Sequence, residues 1–269
     1  MTGIATPAQA TPATGTVRFA VDGDVATVLL DRPDKLNALT PEMLDVLQDA
    51  IVAAARSDAR VVVVRGAGPK AFCVGADINR FSVLSAVQMW RDWTAHGHRV
   101  LDALATLRQP TIAVLHGPAF GGGLELALAC DFRIMAAEAR LGLPEVGLGT
   151  VPGWGGTERL TELVGRARAK EVVLSRRFLD ADTALAWGVV TSVAPAGSLD
   201  AAVEDLVGQL RAGAPVAVQL AKQLIDAAAD GAPSRVLETL AGGLSSATDD
   251  LREGVAAFQG RRDPAFHGR

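Results

Sequence analysis

Short apolar runs and polar turns alternate along the first part of the chain. Val17–Val21 and Val25–Leu30 are rich in β-forming residues, and Asp22-Gly23-Asp24 between them predicts a β-hairpin. Arg60–Arg65 contains a run of valines, and Thr111–Leu115 is a second run that is almost entirely apolar. Continuous apolar runs of this kind predict strands buried on both faces, as in a sheet covered by helices.

Helical spacing of apolar residues lies between these strands. Thr40 followed by Pro41 predicts an N-cap and a first helical residue, and the apolar period continues to about Arg56. A second helical stretch is expected from Ser82 to Leu107, with an interruption near Gly97. The alternation of strands and helices predicts an α/β layer architecture.

The second half of the chain reads as a strand, a glycine-rich loop and then mostly helices. The strand is expected over Asp131–Ala136, and the loop over Arg140–Gly156. The later predicted elements are helices over 157–164, 167–175 and 181–187, a strand over Val189–Val193, and helices beyond Leu199 that begin near Pro215 and Pro233, the last broken at Gly242-Gly243.

The composition is that of a protein with a large buried core. Of 269 residues, 49% are apolar and 21% are charged, and the formal net charge is −4. Nucleic-acid binding relies on clustered Lys and Arg, and the chain has no such run, so we expect no nucleic-acid partner. No uncharged apolar run reaches the roughly 18 residues of a membrane helix, so we expect no membrane association.

Residues 1–16 are rich in Ala, Thr and Pro and lack the basic and apolar regions of a signal peptide. We therefore expect a disordered tail there and a soluble, cytoplasmic protein. Cys73 and Cys130 lie in apolar surroundings without metal-type spacing, which favours small buried side chains in a reducing compartment. No metal site is predicted.

The segment from Leu115 to Cys130 has the features of an anion site. Gly121, Gly122 and Gly123 allow a close backbone approach, and the short apolar helix after them adds a partial positive charge at its N-terminus. Close packing of the turn is the alternative explanation. A second turn of small residues, Ala71–Ile78, is a place where further backbone N–H groups can be exposed.

Two carboxylates, Glu125 and Glu145, lie in segments made otherwise of small and apolar residues. Desolvation there raises a carboxyl pKa toward the range used in general acid–base catalysis. Alternatively, each glutamate has a structural role and pairs with an arginine such as Arg133, Arg140 or Arg159. The combination of two acids with two glycine-rich turns favours the catalytic interpretation.

Other common chemistries lack their essential parts. The chain has no G-x-S-x-G elbow, no Gly-Lys-Ser/Thr phosphate loop, no H-E-x-x-H and no C-x-x-C. Gly66–Ala71 formally matches the dinucleotide pattern G-x-G-x-x-A, but Pro69 and the residues after it do not open a helix, which excludes that function. None of the four histidines is assigned a catalytic role.

Five segments resemble, in order and spacing, the signature segments of the enoyl-CoA hydratase/isomerase (crotonase) family. They are Asp31–Leu39, Ala71–Ile78, His116–Ala127, Leu143–Gly149 and Glu253–Phe258, and the likeness extends from about Val17 to the C-terminus. The resemblance implies an α/β crotonase-like spiral of repeated β-β-α units over residues 17–198, followed by a helical oligomerisation region over 199–269. It also implies an acyl-CoA thioester substrate, assembly as homotrimers or dimers of trimers, and no separate cofactor, because coenzyme A is part of the substrate.

The resemblance implies roles for the residues at matching positions. The backbone N–H groups of Ala76 and Gly122 would form an oxyanion hole for the thioester oxygen. Glu125 would activate the water that adds at C3, and Glu145 would protonate C2. The presence of both glutamates favours an enoyl-CoA hydratase of the β-oxidation type over a delta isomerase, while a non-catalytic acyl-CoA-binding or RNA-binding relative is a further alternative.

By the same resemblance, further residues would contact the coenzyme or the acyl chain. They are Lys35, Ala38, Leu39, Asp77, Ile78, Gly121, Trp154, Phe258 and Arg261. Phe258 and Arg261 would reach the coenzyme of a neighbouring subunit. Trp154 occupies a position that often holds a smaller residue in the family, so it would either shape the acyl pocket or pack against the next helix. The acyl-chain length stays open.

Overall fold

A computed structural model describes residues 15–195 and 197–269. The strands are β1 (Thr16–Asp22), β2 (Val25–Asp31), β3 (Val61–Gly66), β4 (Thr111–Leu115), β5 (Ala119–Phe120), β6 (Phe132–Ala136), β7 (Leu141–Gly142) and β8 (Ser192–Ala194). A disordered tail is expected over residues 1–16. Residues 1–14 lie outside the described residues, whereas Thr16 already belongs to β1.

Eleven helices occur in the described ranges. They are α1 (Pro41–Arg56), α2 (Ile78–Phe81), α3 (Ala86–Gln88), α4 (Ala95–Ala105), α5 (Gly122–Leu128), α6 (Gly156–Ser175), α7 (Ala181–Ala186), α8 (Leu199–Arg211), α9 (Pro215–Ala229), α10 (Ser234–Ser246) and α11 (Asp249–Gly260). A π-helical segment, Met89–Thr94, precedes α4, and Glu145–Leu148 forms a 3₁₀ turn. Within the described ranges, no helix combines the length and the apolar character needed to cross a bilayer.

The main sheet has six strands in the order β1-β2-β3-β4-β6-β8. β1 and β2 pair antiparallel, which confirms the predicted hairpin, and the later pairings are parallel. The predicted strands Arg60–Arg65 and Thr111–Leu115 are confirmed to within one residue as β3 and β4. The α/β layer prediction is therefore confirmed.

Alternate side chains of the inner strands enter two separate hydrophobic cores. In β3, Val62 and Val64 belong to the larger core, whereas Val61 and Val63 belong to the smaller one. This follows from the two-residue period of a strand, because successive side chains point to opposite faces. Two valines of α8 close the smaller core. α8 therefore covers one face of the sheet, although the sequence placed it in the C-terminal helical region.

The stretch expected to be helical over 82–107 is divided differently from the prediction. Residues 82–85 separate two short helices, and Gly97 lies inside α4 rather than at a break. A Cβ at position 97 would overlap the indole of Trp154. Gly97 thus permits close packing and does not interrupt the helix.

Two boundaries in the second half also differ from the prediction. The strand expected over Val189–Val193 begins later, as β8. α10 continues through Gly242-Gly243, and the chain breaks instead at Thr248, whose hydroxyl accepts a hydrogen bond from the Leu251 N–H at 3.2 Å. A side-chain cap sets this boundary more strongly than two helix-weakening glycines do.

The chain reversals that follow β3 and β4 lie side by side at one edge of the sheet. The carboxyl ends of parallel strands meet at the same edge, so Ala71–Ile78 comes close to the glycine run after Pro118. The Phe120 N–H donates a hydrogen bond to the Cys73 carbonyl at 3.0 Å, and the Cys73 N–H donates to the Pro118 carbonyl at 3.3 Å. The fold therefore brings the two small-residue turns together.

Asn37 connects the loops beneath this edge. Its fully buried carboxamide accepts a hydrogen bond from the Arg32 N–H at 3.0 Å and donates to the carbonyls of Ala67 and Ala71, each at 2.9 Å. Its φ of +57° is left-handed, a conformation that asparagine adopts more readily than most residues. One side chain thus joins the loop after β2 to the loop after β3, across 30 to 34 residues of sequence.

Replacement of Asn37 by alanine should weaken the fold. Asn37→Ala leaves buried backbone groups without partners, and we expect the free energy of unfolding to fall by about 2–4 kcal/mol. Urea unfolding followed by circular dichroism measures this change. The exposed Asn79→Ala is the matched control, for which a change within about 0.5 kcal/mol is expected. Equal stability of the two variants would contradict the assigned role of Asn37.

Candidate active site

A cavity of about 130 Å³ opens at the edge where the two turns meet. The predicted site residues that line it are Ala76, Ile78, Gly121, Gly122, Glu125, Glu145 and Trp154. The other lining residues are Val74, Gly75, Phe81, Met89, Trp93, Thr94, Pro144, Leu148, Thr150, Val151 and Gly153. The cavity therefore has apolar walls with two carboxyl groups and two glycine turns.

The two turns approach each other closely because no side chain separates them. Gly75 has a φ of +98° and Gly121 a φ of +52°, both in the region that favours glycine. A Cβ at Gly75 would lie 2.8 Å from the Phe120 carbonyl oxygen and 3.1 Å from the Gly122 nitrogen. Neither the Ala76 N–H nor the Gly122 N–H donates a hydrogen bond within the described residues. Both donors are available to a ligand oxygen.

Glu125 is held by backbone groups of the loop before α6. Its Oε1 accepts hydrogen bonds from the N–H groups of Trp154 at 2.8 Å and Gly156 at 2.9 Å. Burial raises the pKa of the Glu125 carboxyl, and these N–H groups oppose the shift. The proposed alternative of a direct pair with Arg133, Arg140 or Arg159 is not what the structure shows for this glutamate.

Arg159 supports the same loop from α6. It donates a hydrogen bond to the Trp154 carbonyl at 2.8 Å and pairs with Asp102 of α4 at 2.5 Å. Because the Trp154 N–H donates to Glu125, Arg159 acts on the carboxylate through the Trp154 peptide groups. The guanidinium therefore stabilises the position of the Trp154 N–H that donates to Glu125.

Glu145 lies in the 3₁₀ turn and lines the cavity. No basic side chain pairs with it among the described residues. Neither of its carboxyl oxygens has a hydrogen-bond partner in the described structure. Burial, assisted by the nearby charge of Glu125, raises the pKa of Glu145 to about 7. A carboxyl group with such a pKa can donate a proton near neutral pH.

Comparison with known proteins identifies the family of the chain. The sequence model of the enoyl-CoA hydratase/isomerase family matches residues 21–269. The chain belongs to the enoyl-CoA hydratase/isomerase family. A short-chain-enoyl-CoA hydratase of Clostridium acetobutylicum is 37% identical over 245 residues, which cover 90% of this chain and 93% of the relative. A crotonyl-CoA hydratase of Syntrophomonas wolfei is also 37% identical, over 90% of this chain and 94% of the relative.

Solved structures of the enoyl-CoA hydratase/isomerase family confirm the predicted crotonase-like fold. The crystal structure of an enoyl-CoA hydratase from Bacillus anthracis superposes with a TM-score of 0.89 at 34% identity, covering 94% of this chain and 99% of that one. The family resemblance inferred from the signature segments is thereby confirmed as well.

The remaining predicted contact residues lie away from the cavity lining. Lys35 is exposed, whereas Ala38 and Leu39 are buried. The Leu39 N–H donates to the Gly75 carbonyl at 2.7 Å, and the Asp77 N–H donates to the Leu39 carbonyl at 2.8 Å. The Lys35–Leu39 loop therefore lies beside the turn that carries Ala76.

Phe258 and Arg261 are placed at the end of α11 and do not line the cavity of their own chain. The Phe258 side chain is 87% exposed, so it is available to another molecule. Whether these two residues contact a neighbouring subunit's coenzyme stays a prediction.

The sequence offered Arg159 only as a possible direct partner of a glutamate, and it did not single out Phe81, Met89 or Trp93 as cavity residues. Met89 and Trp93 belong to the π-helical segment, inside the stretch expected to be one helix, whereas Phe81 is the last residue of α2, just before that stretch. Their apolar character was visible in the sequence, but neither α2 nor the π-helical segment was predicted. All four histidines lie in the described part of the chain and none lines the cavity, and no metal-binding cluster of His, Cys, Asp and Glu occurs among the described residues.

The raised pKa of Glu145 predicts a pH-dependent effect on stability. The folded protein favours the protonated carboxyl, so this contribution to stability is complete below about pH 4.5 and is lost as the pH rises through about 7. Glu145→Gln removes the ionisation, and we expect it to exceed wild type in unfolding free energy by about 1–3 kcal/mol near pH 8, after allowance for solvent screening. The difference should vanish near pH 4.5.

Urea unfolding at both pH values checks this expectation. The exposed Glu158→Gln on α6 is the matched control, and its unfolding free energy should stay within about 0.5 kcal/mol of wild type at each pH. A Glu145→Gln variant that is no more stable than wild type at the higher pH would show that the carboxyl is not desolvated.

Proposed function

We propose that the protein is an enoyl-CoA hydratase that adds water across the 2,3 double bond of a trans-2-enoyl-CoA, as in fatty-acid β-oxidation. The observation that carries the proposal is the convergence of two carboxyl groups and two unbonded backbone N–H groups on one apolar cavity. The hydratase names of relatives such as that of Clostridium acetobutylicum support the same reaction.

The thioester carbonyl oxygen binds between the N–H groups of Ala76 and Gly122 in this mechanism. Water adds at C3 while Glu125 takes one of its protons, and the electrons of the double bond move toward the thioester oxygen as an enolate forms. The two N–H groups stabilise that developing negative charge, and donors of this type contribute about 2.7–4 kcal/mol each in a measured case. Glu145 then gives its proton to C2, which completes the 3-hydroxyacyl-CoA.

The two glutamates suit these different tasks. Glu125 is oriented by two N–H donors, which leaves its other oxygen to accept a proton from water. Glu145, with a pKa raised to about 7, retains a proton that it can donate to carbon. The coenzyme part of the substrate lies along Lys35, Ala38, Leu39 and Asp77, beside the oxyanion turn.

Replacing either glutamate tests the reaction directly. Glu125→Gln and Glu145→Gln should each lower kcat for hydration of crotonyl-CoA by at least about 10²-fold, because each removes a proton-transfer group. Glu158→Gln, on the exposed face of α6, should retain wild-type kcat. Loss of the absorbance of the conjugated enoyl thioester measures the rate.

The outcome that would overturn the proposal is near wild-type hydration by either variant. A wild-type protein that hydrates no enoyl-CoA but converts a 3-enoyl-CoA to the 2-enoyl isomer would instead identify a delta isomerase. Binding of acyl-CoA without either reaction would identify a non-catalytic relative.

Assembly through the C-terminal helices is part of the proposal. α9, α10 and α11 expose large apolar side chains, among them Ile225, Leu240 and Leu244. Such an apolar surface is typical of a protein–protein interface. We expect homotrimers or dimers of trimers, in which Phe258 and Arg261 reach the coenzyme site of a neighbouring subunit.

Light scattering coupled to size-exclusion chromatography should give three or six times the mass of one chain. Leu240→Glu combined with Leu244→Glu should reduce that mass, because charges at an apolar interface are desolvated without partners. Leu174→Glu on α6, where the side chain is 65% exposed, is the control that should leave the assembly intact. A monomeric wild-type protein would contradict the expectation.

A further inference from the structure

Trp154 occupies the inner wall of the cavity and is nearly inaccessible to solvent, with 3% of its surface exposed. Its six-membered ring lies against Gly122, and its Nε1 side lies against Gly97 of α4. A Cβ on either glycine would overlap the indole. The ring is therefore fixed between the turn that carries an oxyanion donor and a neighbouring helix.

Trp93 packs beside the indole, and Phe81 packs in turn on Trp93. The Trp93 and Trp154 ring centroids are 5.2 Å apart with an interplanar angle of 52°, and Phe81 lies 6.5 Å from Trp93. Tilted aromatic contacts at these separations are favourable. Trp93 is itself buried, with 6% of its surface exposed, so it leaves the indole of Trp154 little room for another rotamer.

The position of the indole relative to Glu125 and Gly122 limits the acyl chain. The Trp154 backbone N–H bonds Glu125, while its ring reaches Gly122, so the indole lies next to the place where C1 to C3 of a substrate would react. The cavity of about 130 Å³ is slightly smaller than an engineered apolar cavity of about 150 Å³ that holds benzene. A space of this size holds about six carbon atoms, and the indole closes it on the inner side.

We propose that Trp154 ends the acyl site and restricts the protein to short enoyl groups of about four to six carbons. This inference rests on the proposed hydratase function and names its substrate class. It also explains why both Gly97 and Gly122 lack side chains, since each makes room for the indole. Trp154 is thus a specificity residue through its ring, while its backbone N–H positions Glu125.

A chain-length series tests the proposal in the full-length protein. Wild type should show kcat/KM values for trans-2-butenoyl-CoA and hexenoyl-CoA at least about tenfold above that for decenoyl-CoA, because each methylene without room costs affinity. Trp154→Leu should lower the ratio of the short-chain to the long-chain kcat/KM by at least about tenfold. The substitution retains the backbone N–H that donates to Glu125. Trp187→Leu is the matched control, because Trp187 stacks with Arg168 and Arg177 away from the cavity, and it should keep the wild-type ratio.

Trp154→Ala and Trp154→Met extend the series in case one variant does not fold. Butyryl-CoA and decanoyl-CoA cannot be hydrated, so their equilibrium dissociation constants measure the acyl-chain preference of the site without turnover. A wild type that hydrates decenoyl-CoA as well as butenoyl-CoA, or a Trp154→Leu variant with the wild-type ratio, would overturn the inference. If wild type hydrates nothing yet binds butyryl-CoA more tightly than decanoyl-CoA, and Trp154→Leu reverses that order, only the hydratase proposal fails.

Discussion

The close contact between the turns at Gly75 and at Gly121-Gly122 is the constraint on which the site depends. A side chain at Gly75 would collide with the carbonyl of Phe120, and both Gly75 and Gly121 require left-handed backbone. The contact is possible because parallel strands β3 and β4 end at the same edge of the sheet, and Asn37 ties down the loops beneath it. Two rigid elements thus fix the spacing of two N–H groups before any ligand arrives, which is the condition for preorganised charge stabilisation.

The orientation of Glu125 depends on three helices together. The glutamate belongs to α5, whose residues are all buried, and its Oε1 accepts hydrogen bonds from the loop that starts α6. Arg159 of α6 holds the Trp154 carbonyl of this loop and pairs with Asp102 of α4. A glycine-rich loop is flexible when isolated. Here it acquires a defined position because charged and backbone groups from separate elements bind it.

Local signals and the family resemblance in the sequence predicted most of the fold and seven of the eighteen residues that line the cavity. The Thr40-Pro41 cap, the valines of β3 and the glycines at the start of α5 each determine structure within a few residues, so the pattern was sufficient. Gly97 misled the prediction because its role depends on Trp154, which packs on it from a loop far along the chain. The actual contacts of Arg159, which the sequence offered only as a direct partner of a glutamate, and the cavity positions of Phe81, Met89 and Trp93 were missed for the same reason, since contacts between distant segments leave no local period.

The two carboxyl groups differ in hydrogen bonding although burial raises the pKa of both. Glu125 accepts two backbone hydrogen bonds, whereas Glu145 accepts none within the described residues. A buried acid without donors is unfavourable when ionised, so Glu145 retains its proton to higher pH than an exposed carboxyl does. Environments that differ in this way allow one carboxyl group to act as a base and another as an acid. The Glu145 oxygens and the N–H groups of Ala76 and Gly122, which have no hydrogen-bond partners within the described residues, lie around one cavity, and this arrangement is the basis of the proposed hydratase function.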